Sequence, residues 1–520
     1  MTFAHSVLAA APSNDTLHPP SIAYHALMPV FIVLGAAMVG VLVEAFASRE
    51  LRYPLQIGVA VGGLAAALVD IGIIHSTHLV TAANALAIDG VTLFLQGSIV
   101  AMALPATLLI AERSVDTGSA VVAQAAVVAG SPADRRLITS TRIQTEIFPL
   151  MMFAVSGMMI FPASNNLLLM FVALEVLSLP LYLMTGLARR RRLLSQEAAM
   201  KYFLLGSFAS AFFLYGLALL YGYAGTVDLP SVLSNSSDKS DALLYIGFGL
   251  LVVGLLFKAG IAPFHSWTPD VYQGAPTPVT AFMSACTKVA AFGALLRVLY
   301  VGFYGAQWNW RPVIWAVAIA SMLVGAIFGL TQTDVKRILA YSAIAHAGFI
   351  LVGTIALTRD GLSATMFYLL TYGFTSIAAF GMLTLVRDAD GEATGLSSWS
   401  GLARKSPLLA TCMTVLLLGM AGIPLTSGFI AKFVVFRAAY HTAGPLVVIA
   451  LVSSAVAAFF YLRIVVMMFF ADPPENSPTI AVPSALSSIA IGLGVAVTIF
   501  LGIVPQPILD LAANAAQLHG

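Results

Sequence analysis

Apolar runs of about twenty residues, each long enough to cross a bilayer as a helix, recur along the whole chain. Inside four of them stands an ionisable side chain: Glu175, Lys258, Lys288 and Lys432. Backbone polar groups in lipid must be satisfied internally, which leaves helices or a closed barrel as the only spanning structures, and runs of this length select helices. Charged residues make up 9% of the sequence and hydrophobic residues 59%, against about 25% charged in soluble domains, so no soluble core of this size would need such a composition. A charge near the bilayer centre costs at least ~2.5–3.5 kcal/mol and is rare unless a buried polar pathway uses it. None of the four reads as lying within a turn or two of the membrane interface, so snorkelling is a poor escape. The chain has only 7 lysines in 520 residues, and three of them are at this depth. The expectation is a membrane protein that moves charge, protons first.

The fold class expected is an all-α polytopic membrane protein with about fourteen spans, at 22–46, 56–75, 91–111, 147–163, 166–187, 198–223, 243–262, 279–303, 312–331, 338–357, 362–386, 407–440 (interrupted), 445–471 and 482–504. Residues 1–20 carry no Lys or Arg and make a poor signal peptide; they read as a non-cytoplasmic tail. The layout is then three helices within 21–111, a cytoplasmic loop at 112–145, one unit of helices 4–8 over 146–303, a second of helices 9–13 over 312–471, and a last helix at 482–504. With the N-terminus outside, one set of loops collects Arg49, Arg52, Arg113, Arg135, Arg136, Arg142, Arg189 to Arg192, Lys336, Arg337, Arg387, Arg404 and Lys405. The other set has Lys239, Arg311 and Arg359. The positive-inside rule makes the first set cytoplasmic and both termini non-cytoplasmic.

Several chemistries are excluded. No loop is large enough for a soluble domain, and there is no GxxxxGK[ST] segment, so any energy source lies elsewhere. Cys286 and Cys412 are far apart within apolar runs, too few for a thiolate-ligated cluster or a structural zinc. The nine His form no CxxCH motif. No cofactor, metal or nucleic-acid partner is expected in this chain; its surroundings are the lipid bilayer and other spans.

The runs AGIAP at 259–263 and AGIP at 421–424 both interrupt an apolar span, one just after Lys258 and one just before Lys432. Pro263 cannot donate to the carbonyl of Ala259, and Pro424 cannot donate to that of Met420, so each helix breaks and frees acceptors at membrane depth. The breaks fall in the seventh and twelfth spans. An odd offset gives the two five-helix units opposite orientations, an inverted repeat with a broken helix in each half. His265, Trp267, Asp270 and Tyr272 continue the first break as a polar-aromatic stretch. Pro180 loosens the helix of Glu175. Thr426 and Ser427 offer hydroxyls for a water chain beside Lys432, and Gly428 leaves room for it.

The segment PFHSWTPDVYQGAPTPV at 263–279 resembles the antiporter-like membrane subunits of bacterial proton-pumping NADH-quinone oxidoreductase, respiratory complex I, in their N-type version by its VYQGAP. LLLMFVALEVLSLPLYLMTG at 167–186, EAAMKYFLLGSFASAFFLYG at 197–216, QTDVKRILAYSAIAHAGF at 332–349 and GIPLTSGFIAKF at 422–433 extend the likeness over spans five to twelve. The resemblance implies a proton-translocating role for Glu175, Lys258, Lys288 and Lys432: Glu175 modulates Lys258, Lys288 relays, and Lys432 serves the outer half-pathway. It also implies that FMN, iron–sulfur clusters, NADH and quinone belong to partner subunits of the membrane and peripheral arms, in a bacterial plasma membrane. Lys201, four residues after Glu197, is either a surface pair or a functional lysine of the EAxxKYFLLG motif. His346 is either a relay or a satisfied core histidine, and His265 either a gate or a helix cap. Asp334, Lys336 and Arg337 read as a cytoplasmic turn, and Arg189 to Arg192 as orientation signals and lipid headgroup contacts. Two rivals remain, an Mrp-type cation/proton antiporter subunit and a non-translocating scaffold. Buried charges are hard to justify in a scaffold, where apolar replacements are often as stable.

Overall fold

Side chains that accept from otherwise free N–H groups set several helix starts. Asp89 receives Thr92 N before α3 (Gly90–Ile110), and Asn166 receives Leu168 N and Leu169 N before α5 (Leu167–Thr185). Asp334 caps α12 (Val335–Ile355) and Thr358 caps α13 (Arg359–Leu383). The remaining helices are α1 (Tyr24–Phe46), α2 (Arg49–Ile73), α4 (Ile147–Ala163), α6 (Arg192–Ala224), α7 (Asp241–Ala259), α8 (Trp267–Gly274), α9 (Thr277–Phe282), α10 (Lys288–Arg297), α11 (Gln307–Thr331), α14 (Pro407–Ala421), α15 (Ser427–Phe470), α16 (Ala485–Ile503) and α17 (Gln506–Ala515), with a helical turn at Leu402–Lys405. A π-helical turn, Met283–Thr287, joins α9 to α10. This computed structural model describes residues 21–519 except 116–118, 123–126, 128–130, 134–135, 137–142, 235–240 and 390. The tail at 1–20, much of the 112–145 loop, and Arg135, Arg142 and Lys239 of the charge argument lie outside the described residues.

Among the described residues, twelve helical segments are long and apolar enough to cross a membrane, and Ile147–Ala163 and Pro407–Ala421 are shorter apolar helices. The difference from fourteen separate long spans has two causes, the first being that the fourth expected span, Ile147–Ala163, has only 17 residues, and the second lying at the twelfth and thirteenth. The twelfth expected span is cut by its own break after Ala421, and its second part runs on into the thirteenth as one 44-residue helix with a single non-helical residue, Ala443 (φ −147°, ψ 40°). Both breaks fall where expected, but glycines ahead of the prolines end the helices: Gly260 (φ +69°) ends α7 and Gly422 (φ +84°) ends α14 in a left-handed conformation that a side chain would strain.

Loop-to-loop bonds sort the helix junctions into two ends. At one end Tyr53 reaches the carbonyl of Ala111, Thr145 donates to Glu44, Val121 bridges Ala188, Thr277 donates to Glu392, Asp334 bridges Gly395, and Ser484 donates to Glu112. At the other, Ala23 N meets Thr81, Asn166 bridges Asp228, Arg311 reaches Thr442, and His519 N meets Asp89. The broken helices α7–α8 and α14–α15 therefore run in opposite directions. Short strands close the ends and were not anticipated: Leu79–Thr81 pairs antiparallel with Leu86–Ile88, and Val386–Asp388 lies between Gly391–Glu392 and Thr479–Ile480. The stretch 277–299 is wholly buried, and α12 and α13 almost wholly. Around them α6 and α11 turn Phe203, Phe208, Phe212, Ile327 and Phe328 outward, the composition of a lipid-facing surface.

Candidate functional site

The break after α7 leaves carbonyls that the helix no longer uses. Phe257 O is taken by Trp267 Nε1 at 2.9 Å, and Ala259 O by Lys288 Nζ at 3.3 Å. Lys258 turns away from its own break. Its Nζ donates to Ser178 Oγ at 2.8 Å and to Tyr202 OH at 3.2 Å, and lies 5.3 Å from the centre of the Tyr202 ring. On α5, Glu175, Ser178 and Tyr182 recur at i, i+3 and i+7, one helical face, and α5 runs unbroken past Pro180 to Thr185. Glu175 is within electrostatic range of Lys258, but the two form no direct ion pair. Ser178 takes the ammonium instead, and Glu175 Oε1 is buried without a hydrogen-bond partner. The ammonium is thus held by a hydroxyl, which can accept and donate at once, with Glu175 near enough to act on it through space.

Lys288 follows the π turn. Besides Ala259 O it donates to Ala343 O on α12 at 2.8 Å, with its Nζ 5.7 Å from the centre of the Tyr372 ring. One turn beyond Ala343, His346 is 3% exposed and satisfied at both nitrogens: Nδ1 lies 2.7 Å from Tyr368 OH and Nε2 3.2 Å from Tyr461 OH. Tyr461 OH also shares a hydrogen bond with Ser342 Oγ. His346 stands within electrostatic reach of both Lys288 and Lys432, between the two halves. A space of about 10 Å³ beside it, lined by Tyr368, Thr371, Tyr372 and Gly419, is the size of roughly one water.

Lys432 donates to the freed carbonyl of Met420 at 3.1 Å, to Ala421 O at 2.8 Å and to Ser454 Oγ at 2.8 Å. A cavity of about 420 Å³ runs from it past Ser454 to Arg437, Tyr440 and His441. At the TSG turn one of the two expected hydroxyls is taken up by backbone. Thr426 Oγ1 is engaged with Ile423 O and caps α15 by accepting Phe429 N, and a Cβ on Gly428 would fall 1.9 Å from Gly419 O. Gly428 lets two backbones touch at Gly419 and lines the water-sized space beside His346.

Other expectations are also corrected. Lys201 pairs with Glu197 at 2.7 Å and also with Asp270 at 2.8 Å, and Asp270 in turn holds Arg337 at 2.8 Å. The cluster ties α6, α8 and α12 together, so Lys201 is more than a local surface pair, and it stands apart from the buried line. Lys336 is no exposed turn residue: it is 3% exposed, donates to Ala275 O at 3.0 Å and lies 3.7 Å from Glu392. Asp334 accepts from Thr394 at 2.6 Å. The expected headgroup arginines are packed on protein. Arg189 is buried and donates to Ser119 O at 2.6 Å, and Arg191 donates to Glu392 O at 2.9 Å. His265 lies at the first break with Nδ1 buried and without a partner, outside the line. The sequence reading missed Ser178, Tyr368, Tyr461 and Ser454. Ser178 carried a signal, one turn from Glu175 on the same face; the tyrosines are ordinary residues for a membrane helix.

A family model described as NADH:quinone oxidoreductase/Mrp antiporter, TM, matches residues 164–494. The NADH-quinone oxidoreductase subunit N of Parafrankia sp. (strain EAN1pec) is 59% identical over 520 residues, 99% of this chain and 99% of that one. A chain of respiratory complex I from Thermus thermophilus is 34% identical, with a TM-score of 0.75 over 94% of this chain and 100% of that one. A chain of the Mrp complex from Dietzia sp. DQ12-45-1b superposes with a TM-score of 0.79 over 95% of this chain and 97% of that one, at 22% identity, a likeness of fold alone. Fold does not separate the two lineages, and sequence does: the chain belongs to the NADH-quinone oxidoreductase subunit N family.

Proposed function

We propose that this chain translocates protons across a bacterial plasma membrane as a membrane-arm subunit of NADH-quinone oxidoreductase. FMN, iron–sulfur clusters, NADH and quinone are assigned to partner subunits of that assembly. The end rich in arginine and lysine is assigned to the cytoplasm and the described ends of the chain to the opposite side, following the positive-inside rule. One observation carries the reading. Lys258, Lys288 and Lys432 are each buried against hydroxyls and carbonyls only, with His346 and two tyrosine hydroxyls between the second and the third. A structural charge in an interior normally has a counter-charge, since an unpaired one is costly. Neutral acceptors can hold an ammonium without locking it in an ion pair, and the hydroxyls among them, which both accept and donate, suit groups whose protons leave and return.

The test is the whole complex, with this subunit altered, reconstituted in sealed vesicles and driven with NADH and quinone. Lys258→Met and Lys288→Met are each expected to abolish most of the acidification, with the complex still assembled. Wild-type pumping from both variants would remove these residues from the mechanism and leave the scaffold reading.

A further inference from the structure

A proton that reaches Lys288 has to enter, and the arginine-rich end presents a built mouth directly below it. Thr277, Thr280, Ser284 and Lys288 follow one another at spacings of three, four and four residues, one continuous helical face. At its lower end Thr277 donates to Glu392, whose carboxylate lies 3.7 Å from the buried Lys336. A cavity of about 60 Å³, lined by Thr277, Lys336, Glu392, Arg191 and Arg387, opens there. At the upper end Ser284 Oγ lies 2.7 Å from Ser376 Oγ, Ser376 follows Tyr372 by one turn of α13, and the Tyr372 ring centre lies 5.7 Å from the Lys288 ammonium. Thr280, Ser284 and Ser376 are essentially unexposed.

Resting on the proton-translocating reading above, we infer that Glu392 is the loading carboxylate of an entry half-pathway to Lys288, running through the hydroxyls of Thr277, Thr280, Ser284, Ser376 and Tyr372. The transfer balances simply. Glu392 takes a proton from water in the mouth, each hydroxyl receives one proton and gives up one, and the neutral amine of Lys288 becomes an ammonium after its own proton has moved on. Hydroxyls one turn apart stand about 5–6 Å from each other, a gap that one water closes. Lys336 positions Glu392 from 3.7 Å while donating to Ala275 O at 3.0 Å. The other charged groups around the mouth among the described residues are Asp334 at the head of α12, Arg387 across the strand pair, Arg189, Arg190 and Arg191 between α5 and α6, and Glu112 across a neighbouring space.

The experiment compares Glu392→Gln, Glu392→Asp and the double variant Ser284→Ala/Ser376→Ala with Lys288→Met, all in assembled complex in vesicles. Proton uptake is followed as the pH on the entry side is raised. Glu392→Gln is expected to slow uptake roughly tenfold or more, most strongly at high pH where loading limits the rate, and Glu392→Asp to restore most of it. The hydroxyl double variant removes two buried oxygens without a charge and is expected to slow uptake in the same way. If Lys288→Met stops pumping while Glu392→Gln and the double variant keep wild-type rates at every pH, the entry path is overturned and the translocation reading stands. If Lys288→Met itself pumps normally, that reading falls.

Discussion

A buried charge in this protein meets one of two fates, and Arg297 shows the one that the lysines avoid. Arg297 and Asp89 are both unexposed and pair at 2.7 Å. The guanidinium also donates to Pro162 O at 2.6 Å, His519 O at 2.9 Å and Thr92 Oγ1 at 2.8 Å. Asp89 in turn caps α3 and accepts His519 N. Every strong donor has an acceptor and the charges cancel, so the pair is locked. Removing one partner of such a pair typically costs about 3–5 kcal/mol, because a lone charge is left behind. Arg297→Met is therefore expected to lower the melting midpoint of the solubilised protein sharply, and Arg297→Met/Asp89→Asn to recover much of the loss, since Asn keeps the helix cap. Pumping per assembled complex is expected to stay unchanged in the double variant. A single variant that melts like the wild type would refute the locked pair. The sequence pointed to Glu175 and three lysines but passed over Arg297, although it stands in the same apolar stretch as Lys288. Its partner is 208 positions away, and pairing across distant spans leaves no local pattern. The lysines were legible because Gly and Pro beside two of them announce a broken helix within a few residues.

At the scale of elements, what was legible is what depends on short-range chemistry: helix extents, the two breaks and their opposite directions. The hairpin at 79–88, the three-stranded piece joining 386–392 to 479–480, and α17 were not, because short segments form only where a folded neighbour completes them. One clasp between elements was equally hidden. Glu112, just past the end of α3, accepts Ser114 N at 2.7 Å, Ser484 N at 3.0 Å and Ser484 Oγ at 2.6 Å, and so fastens α3 to the start of α16. Burial alone would raise its carboxyl, but the hydrogen bonds from Ser484 and Ser114 outweigh burial and hold it at about 2, below the ordinary 4.5. A depressed carboxyl stabilises the fold fully above its unfolded value and loses that contribution as pH falls through its folded value. The clasp is therefore intact at neutral pH and weakens between pH 4.5 and about 2. Glu112→Gln is expected to cost about 1.5–3 kcal/mol at pH 7, the range for hydrogen bonds to a charged group. Its melting midpoint and that of the wild type should converge as the pH is lowered through this window. A constant difference down to pH 2 would assign the loss to something other than the charge.

Across the whole molecule, the two inverted units place one broken helix in each half and one lysine at each break, with Lys288 and His346 joining them. The halves are not equivalent at their ends. Lys258 is held by Ser178 and Tyr202 with the half-buried carboxylate of Glu175 in electrostatic range, whereas Lys432 faces the cavity that leads past Ser454 to Arg437, Tyr440 and His441, beside the irregular backbone of Ala443. That cavity lies toward the end of the molecule opposite the arginine-rich one, since the next residue along the helix, Thr442, is held there by Arg311. A proton delivered along the row would leave by it. The competing role is structural: Lys432 bridges Met420 O and Ala421 O across the break from Ser454 on the far side of the kink, and that bridging needs the charge only as a donor. Lys432→Arg separates the two. A guanidinium offers five donors to the same carbonyls and hydroxyl but stays charged under all working conditions, so it can pin the break and cannot release a proton. The variant is expected to assemble and melt like the wild type while proton release into the outer compartment falls to background, and Ser454→Ala to slow release without stopping it. An Arg variant that pumps at the normal rate would make Lys432 a brace and move the exit elsewhere.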